Sequence, residues 1–286
     1  MIDPIVAPEN PFLNPVFKGW AKPGPIPPGI MHGPHPEPDE TLDAISGYFR
    51  IFQLRDGHRF STDDLLTAWY ATSWAPSPSR VLELGSGIGT AGLISAWRLP
   101  GSSFVTIEAQ ERSVQLARKS IDYNGLKSRF ELKHGDFRGP GILRAEETFD
   151  LIIGTPPYFP HGTGIEGDHP QKIACRFESR GNIFDYCRRA SQHLGPSAFF
   201  VCILPDVERM QAATVASGLS IVRQRPVIFK EGEHPLLTLF CLTKATDLPE
   251  RLRGSVWVEP PLIIRRKDGS IHPEYSAVKL SIGFPP

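Results

Sequence analysis

From residue 80 onward the chain alternates short apolar runs with glycine-rich bends and stretches of helical period. The runs Arg80–Leu84, Ser103–Glu108, Phe130–His134, Phe149–Gly154 and Ala198–Leu204 read as strands, because brief apolar segments bounded by turn residues suit strands covered on both faces. Helices are expected near 90–98, 111–124, 182–194 and 206–217. Strand and helix in alternation imply a parallel sheet packed between helices. Two more β-rich runs, Ile221–Phe229 and Leu236–Lys244, flank Glu231-Gly232-Glu233-His234-Pro235 and predict an antiparallel pair at the sheet edge. Upstream, Tyr48–Gln53 reads as a strand and Asp56-Gly57 as a turn, while Ser61-Thr62-Asp63-Asp64 offers N-caps for a helix reaching Trp74. The pattern defines an α/β fold with a seven-stranded, mostly parallel sheet whose last strand pair is antiparallel.

Proline changes this picture at the start of the chain, where 11 of the 29 prolines fall within the first 40 residues. No regular helix or central strand tolerates that density. Residues 1–45 are therefore set apart as a Pro-rich N-terminal arm, and 46–286 as the folded domain. Two states of the arm stay open: a disordered tail, or an extended segment docked through Phe12, Val16, Phe17 and Trp20.

Charge narrows the classes further. With 31 Lys+Arg against 31 Asp+Glu there is no global basic field to draw the chain onto nucleic acid. A hydrophobic content of 40% with 22% charge is ordinary for a globular chain, and no apolar run approaches the roughly 20 residues of a membrane span. The opening MIDPIVAPENPF lacks both the basic and the apolar region of a secretory leader, so the expected location is cytoplasmic. Cys175, Cys187, Cys202 and Cys241 form no C-x-x-C pair and read as inert thiols, so no metal site and no disulfide framework is expected.

The chemistry begins at Glu83-Leu84-Gly85-Ser86-Gly87-Ile88-Gly89-Thr90, a strand end, a glycine bend and a helix start in succession. Glycine permits positive φ and close backbone approach to a nucleotide-like ligand. A dinucleotide fingerprint places its third glycine where Thr90 stands, and Glu83 beside the bend disfavours a pyrophosphate. An acid there instead attracts the sulfonium and ammonium of S-adenosylmethionine. Gly85, Gly87, Gly89 and Glu83 are thus candidate cofactor-binding residues. Glu108, ending the second strand, is placed to accept from both ribose hydroxyls. After the third strand, Asp136 can accept from an adenine amine and Phe137 can pack on the ring.

The fourth strand runs into Gly154-Thr155-Pro156-Pro157-Tyr158-Phe159. Here the sequence resembles the class I S-adenosylmethionine-dependent methyltransferases whose fourth strand ends in N-P-P-Y, an element of enzymes that methylate a planar nitrogen, either an adenine amine or a glutamine amide. The resemblance implies a Rossmann-like methyltransferase fold and catalytic roles for Thr155, Pro156, Pro157 and Tyr158. Two prolines stiffen the bend and leave its carbonyls free to accept the substrate's N–H bonds, while Tyr158 offers a stacking face. Orientation and electrostatics then favour transfer without a strong general base. Thr155 stands where the family has Asn, and its hydroxyl is shorter than a carboxamide.

Gly57–Ala68, Ala174–Ser179, His234–Leu239, Pro261–Ile264 and Asp268-Gly269 further resemble the bacterial tRNA (adenine-N6)-methyltransferases, over residues 47–275. The resemblance implies methyl transfer to the N6 amine of adenine in tRNA. Arg265-Arg266-Lys267, Arg188-Arg189 and Arg223 with Arg225 are candidate phosphate contacts, and Trp257 or Phe159 can stack on a base. His161 and His169 flank Gly162-Thr163-Gly164 and are given no role. Competing readings are a protein-glutamine or small-molecule N-methyltransferase, a non-catalytic cofactor-binding interaction module, and, more remotely, a nicotinamide dehydrogenase.

Overall fold

A computed structural model of the chain describes residues 11–74, 77–159 and 169–286. The Gly162-Thr163-Gly164 segment and His161 lie outside the described residues. Within the proline-rich segment, a 3-10 turn (Pro11–Leu13) leads into a two-residue hairpin, β1 (Val16–Phe17) and β2 (Trp20–Ala21), and a single helical turn, α1 (Gly29–His32). Next come β3 (Glu40–Ala44) and β4 (Arg50–Leu54), paired antiparallel with Glu40 opposite Leu54 and Ala44 opposite Arg50. The remaining elements are α2 (Thr62–Trp74), β5 (Arg80–Leu84), α3 (Thr90–Arg98), β6 (Ser103–Glu108), α4 (Glu111–Tyr123), β7 (Phe130–His134), β8 (Phe149–Gly154), α5 (Pro170–Arg176), α6 (Ile183–His193), β9 (Leu194–Leu204), α7 (Val207–Ala216), β10 (Leu219–Lys230), β11 (Leu237–Lys244), β12 (Trp257–Val258), β13 (Leu262–Arg265) and α8 (Pro273–Ser281).

The main sheet runs β12-β10-β11-β9-β8-β5-β6-β7, and β13 also pairs with β10. The pairings β5–β6, β6–β7, β5–β8 and β8–β9 are parallel, whereas β11 runs antiparallel to both β9 and β10. The seven strands expected from the sequence are present. The β10–β11 pair does not end the sheet, because β12 and β13 add parallel to β10 beyond it. From β5 the chain first builds outward to β6 and β7, then returns to lay β8 on the other side. That reversal opens a crevice at the carboxyl ends of β5 and β8, where ligands of open α/β sheets bind.

Successive strand residues feed opposite faces of the sheet. Val81, Leu151 and Ile153 join one core with Leu66, Tyr70 and Ile94 from α2 and α3. Leu82, Leu84 and Ile152 join the other with Tyr186, Cys187 and Met210 from α6 and α7. All four cysteines are free. No described helix is long and apolar enough to cross a membrane.

The proline-rich segment is tied into this body. Glu40 is fully buried; its Oε2 accepts from Lys119 Nζ at 2.9 Å and its Oε1 forms an ion pair with Arg112 Nη2 at 3.0 Å, both partners lying on α4. On the free edge of β4, the Arg50 N–H donates to Asn124 Oδ1 at 2.9 Å and the Phe52 N–H to Ser120 Oγ at 2.9 Å. Ile30 and Ile45 are buried in the main core, and Phe12 packs against it, whereas Val16 and Phe17 are exposed. The division at residue 45 thus falls inside a paired β-hairpin.

Candidate active site

The glycine bend is built for close approach. Gly85, Gly87 and Gly89 adopt φ of +61°, +56° and +86°, which L side chains rarely populate. A Cβ at Gly85 would collide with the Tyr186 hydroxyl, while at Gly87 nothing stands within 4 Å. The bend forms one wall of a cavity of about 530 Å³ at the carboxyl ends of β5, β6, β7 and β8. Of the site residues expected from the sequence, Gly85, Gly87, Glu108, Asp136, Phe137, Thr155, Pro156, Pro157 and Tyr158 line it.

Glu83 and Gly89 stand apart from the lining. On β5 the side chain of Glu83 shares the face of Val81 and points under α3, where Oε1 accepts the Gly92 N–H at 3.1 Å. It is 3% exposed, and a Cβ on Gly92 would collide with Oε2. Burial pushes its carboxyl up to about 8, against the Gly92 hydrogen bond. Glu83 therefore caps the first turn of α3 from beneath, where the helix dipole favours an acid. Gly89 is the N-cap of that helix in left-handed conformation.

Glu108 ends β6 at 6% exposure. Its Oε2 accepts the Gly87 N–H at 2.8 Å and its Oε1 the Gln110 N–H at 2.6 Å, so the carboxylate fixes the bend and retains a lone pair on each oxygen. Burial pushes its pKa upward, while these N–H donors and Arg180 oppose the shift. Asp136 is clasped by Arg138, whose Nη2 lies 2.6 Å from Oδ2, and the pair holds the carboxyl below its usual range. Phe137 is buried edge-on against Tyr186, with ring centroids 4.6 Å apart.

At the opposite wall, Tyr158 donates its hydroxyl to Asp63 Oδ2 at 2.8 Å, tying the T-P-P-Y turn to the first turn of α2. Burial, then Asp63, raises the phenol well above its ordinary value, so it stays a donor. Asp64, on the same turn, accepts the Ser61 N–H at 3.0 Å. Burial, then the neighbouring Asp63, pushes the Asp64 carboxyl up to about 7. His58, Ser61, Asp63, Asp64, Cys175 and Arg180 also line the cavity, although the sequence pattern assigns none of them to a site. The sequence pattern marks Asp63 and Asp64 as helix caps, and the cavity they line is formed only by the fold. Burial pushes the Cys175 thiol up to about 12 and keeps it protonated.

The wall suits a nucleoside ligand with polar substituents. Ser86 Oγ is buried with no hydrogen-bond partner among the described residues, next to the open space at Gly87 and the available lone pairs of Glu108. Among the described residues no cluster of metal-ligating side chains occurs.

Residues 62–174 match the Methyltransferase small domain family. A relative from Tolumonas auensis, named tRNA1(Val) (adenine(37)-N6)-methyltransferase, is 27% identical over 80% of this chain and 92% of its own length. A relative of the same name from Porphyromonas gingivalis is 30% identical over 62% of this chain and 73% of its own length. The chain belongs to their family. Among solved structures, protein Atu636 from Agrobacterium tumefaciens, described as a predicted O-methyltransferase, superposes with a TM-score of 0.56 over 78% of this chain and 98% of that one, at 20% identity. That likeness carries the Rossmann-like fold alone.

For a methyltransferase, the surface cations divide sharply. Arg223 and Arg225 are buried: Arg223 pairs with Glu259 through Nη2 at 2.9 Å, and Arg225 Nε donates to the Pro260 carbonyl at 3.1 Å. They brace β12 and the segment after it, and do not face phosphate. Arg188 pairs with Asp185, and Arg189 Nη2 donates to the Gly139 carbonyl. Arg265 ends β13, exposed, and Arg266 and Lys267 lead into the exposed turn after it; Trp257 is exposed on β12, and Phe159 is exposed at the cavity wall.

Proposed function

We propose that this methyltransferase moves the methyl group of S-adenosylmethionine to the N6 amine of an adenine in tRNA. The observation that carries the reading is the convergence of the glycine bend, Glu108 and the T-P-P-Y turn on one cavity. The relatives that bear the tRNA (adenine-N6) name agree with it. Gly85, Gly87 and Glu108 would hold the cofactor's nucleoside, with Asp136 and Phe137 at its base. Bound there, the cofactor supplies an electrophilic methyl group on a sulfonium. The carbonyls of the T-P-P-Y turn would accept the amine's hydrogens, and Tyr158, fixed through Asp63, would give the base a flat face. Phe159 lies at the mouth of the same cavity, exposed and positioned to stack on a neighbouring base. A tRNA acceptor would put its site of action in the cytoplasm.

The test supplies labelled S-adenosylmethionine to the protein with unmodified tRNA transcripts, bulk protein and small metabolites, followed by nucleoside analysis of the RNA. N6-methyladenosine in tRNA is the expected product. Label confined to protein or to metabolites would replace adenine by another nitrogen, and the shortened side chain at Thr155 is the feature that would then explain the choice.

A further inference from the structure

Thr155 leaves the methyl-accepting amine short of one acceptor, yet the same cavity wall carries a carboxylate that the fold only half uses. Asp64 and Thr155 both line the cavity. The hydrogen bond from Tyr158 to Asp63 fastens the T-P-P-Y turn to the helical turn bearing Asp64. Asp64 Oδ2 accepts from the Ser61 N–H at 3.0 Å and the Ser61 hydroxyl at 3.4 Å, closing a helix cap, while Oδ1 takes no hydrogen bond among the described residues. A capping role explains one oxygen and leaves the other to the cavity.

We propose that Asp64 Oδ1 accepts a hydrogen bond from the methyl-accepting amine and takes its proton, supplying what the Thr155 hydroxyl is too short to give. This rests on the methyl-transfer reading above. As the nitrogen lone pair forms the new N–C bond, the C–S bond breaks and its electrons stay on sulfur. The nitrogen becomes cationic and releases one N–H proton, which Asp64 receives and later gives to water. The groups facing Asp64 are Asp63 on its own turn, Glu83 beneath α3, Tyr158 after β8 and Cys175 on α5. His58 and Arg180 line the same cavity, but burial, then the like charge of Asp63, dominates at Asp64 and keeps the carboxyl basic, with a pKa of about 7 suited to proton transfer near neutrality.

The experiment compares wild type, Asp64→Asn, Asp64→Ala, Thr155→Asn and the Asp64→Asn/Thr155→Asn pair. Asn at 64 keeps an oxygen for the Ser61 N–H, so the fold is expected to survive, and melting curves check it. Expected for Asp64→Asn is a loss of kcat of about 100-fold or more, with S-adenosylhomocysteine affinity unchanged by calorimetry. The wild-type rate should fall about tenfold per pH unit below about pH 7 as the carboxylate protonates, and this limb should vanish in Asp64→Asn. In Asp64→Ala, binding of an unmodified adenine-containing stem-loop in the presence of S-adenosylhomocysteine should weaken about tenfold. Thr155→Asn should recover part of the Asp64→Asn loss, which a purely structural cap would not allow. Transfer by wild type that is undiminished in Asp64→Asn, or a rate profile with the same acid limb in both, would overturn this inference and leave the methyl-transfer reading standing. Absence of transfer by wild type to any acceptor would overturn that reading, and this one with it.

Discussion

Glu83 lies under α3 with one oxygen on the Gly92 N–H and the other without a hydrogen-bond partner among the described residues, and its protonation is therefore linked to folding. Its carboxyl is raised from an ordinary 4.5 to about 8 in the folded chain. Below pH 4.5 both states hold the proton and its contribution to stability is fully present. Between 4.5 and 8 the unfolded chain has lost a proton that the folded chain keeps, so stability falls by up to about 1.4 kcal/mol for each pH unit. Denaturant titrations should show wild type losing ground to Glu83→Gln across that window, and parallel curves would place the titration elsewhere. Glu108 answers a different measurement. Removing it in Glu108→Ala deletes charged hydrogen bonds and frees the Gly87 N–H, so calorimetry should find S-adenosylhomocysteine binding weaker by about 1.5–3 kcal/mol. An unchanged affinity would move the ribose contact to another residue. These two acids also mark what sequence can say of a site. Both end or nearly end a strand beside a glycine bend, and spacing alone reads both as ligand-facing. The alternation of β5 sends Glu83 to the far side, and only the packing of Gly92 over it, visible in sequence as one glycine inside a helix, betrays the placement.

Among elements, the hairpin β3–β4 carries the clearest consequence for stability. The sequence Glu40-Thr41-Leu42-Asp43-Ala44 alternates only at Leu42 and Ala44, too briefly to mark a strand, because its one buried position is an acid paired with Lys119 and Arg112 on α4. A partner 79 residues away in the chain cannot be read from local pattern. Strands β5, β6 and β8 are legible because they bury apolar residues on both faces, and the edge strand β7 because Phe130 and Leu132 alternate with polar residues; the observed bounds of all four coincide with those expected. β9 begins earlier than its apolar run, at Leu194, where Gly195-Pro196 reads as a turn. Deleting residues 1–45 removes β3 and bares a wholly buried β4. The truncated protein should melt roughly 5–10 °C lower, as follows from a loss of about 2–3 kcal/mol in a chain of this size. An unchanged melting temperature would mean that the hairpin contributes nothing to the fold.

Taken whole, the molecule places its chemistry at the tips of parallel strands and its bracing at the flanks. The cavity collects the glycine bend, Glu108, Asp136 and the proline turn. Two of the arginines of interest to RNA, Arg223 and Arg225, are spent on holding β12 and α8 in place through Glu259 and Glu274, and Arg180 is the cation that lines the cavity. Neutral composition and buried arginines together leave recognition of an acceptor to shape and stacking at the cavity mouth, and salt should weaken acceptor binding only shallowly compared with a protein making many phosphate contacts. A steep loss of tRNA affinity between low and physiological salt would contradict this. The hairpin has a further consequence in time. Its edge is closed by Asn124, which pairs with the backbone of Arg50 across 74 residues. At a synthesis rate of about 5–20 residues per second, β4 waits roughly 4–15 s on the ribosome before the residue that seals it is made. Nascent chains stalled before Asn124 should therefore lose their first fifty residues to added protease, and those stalled well beyond it should resist.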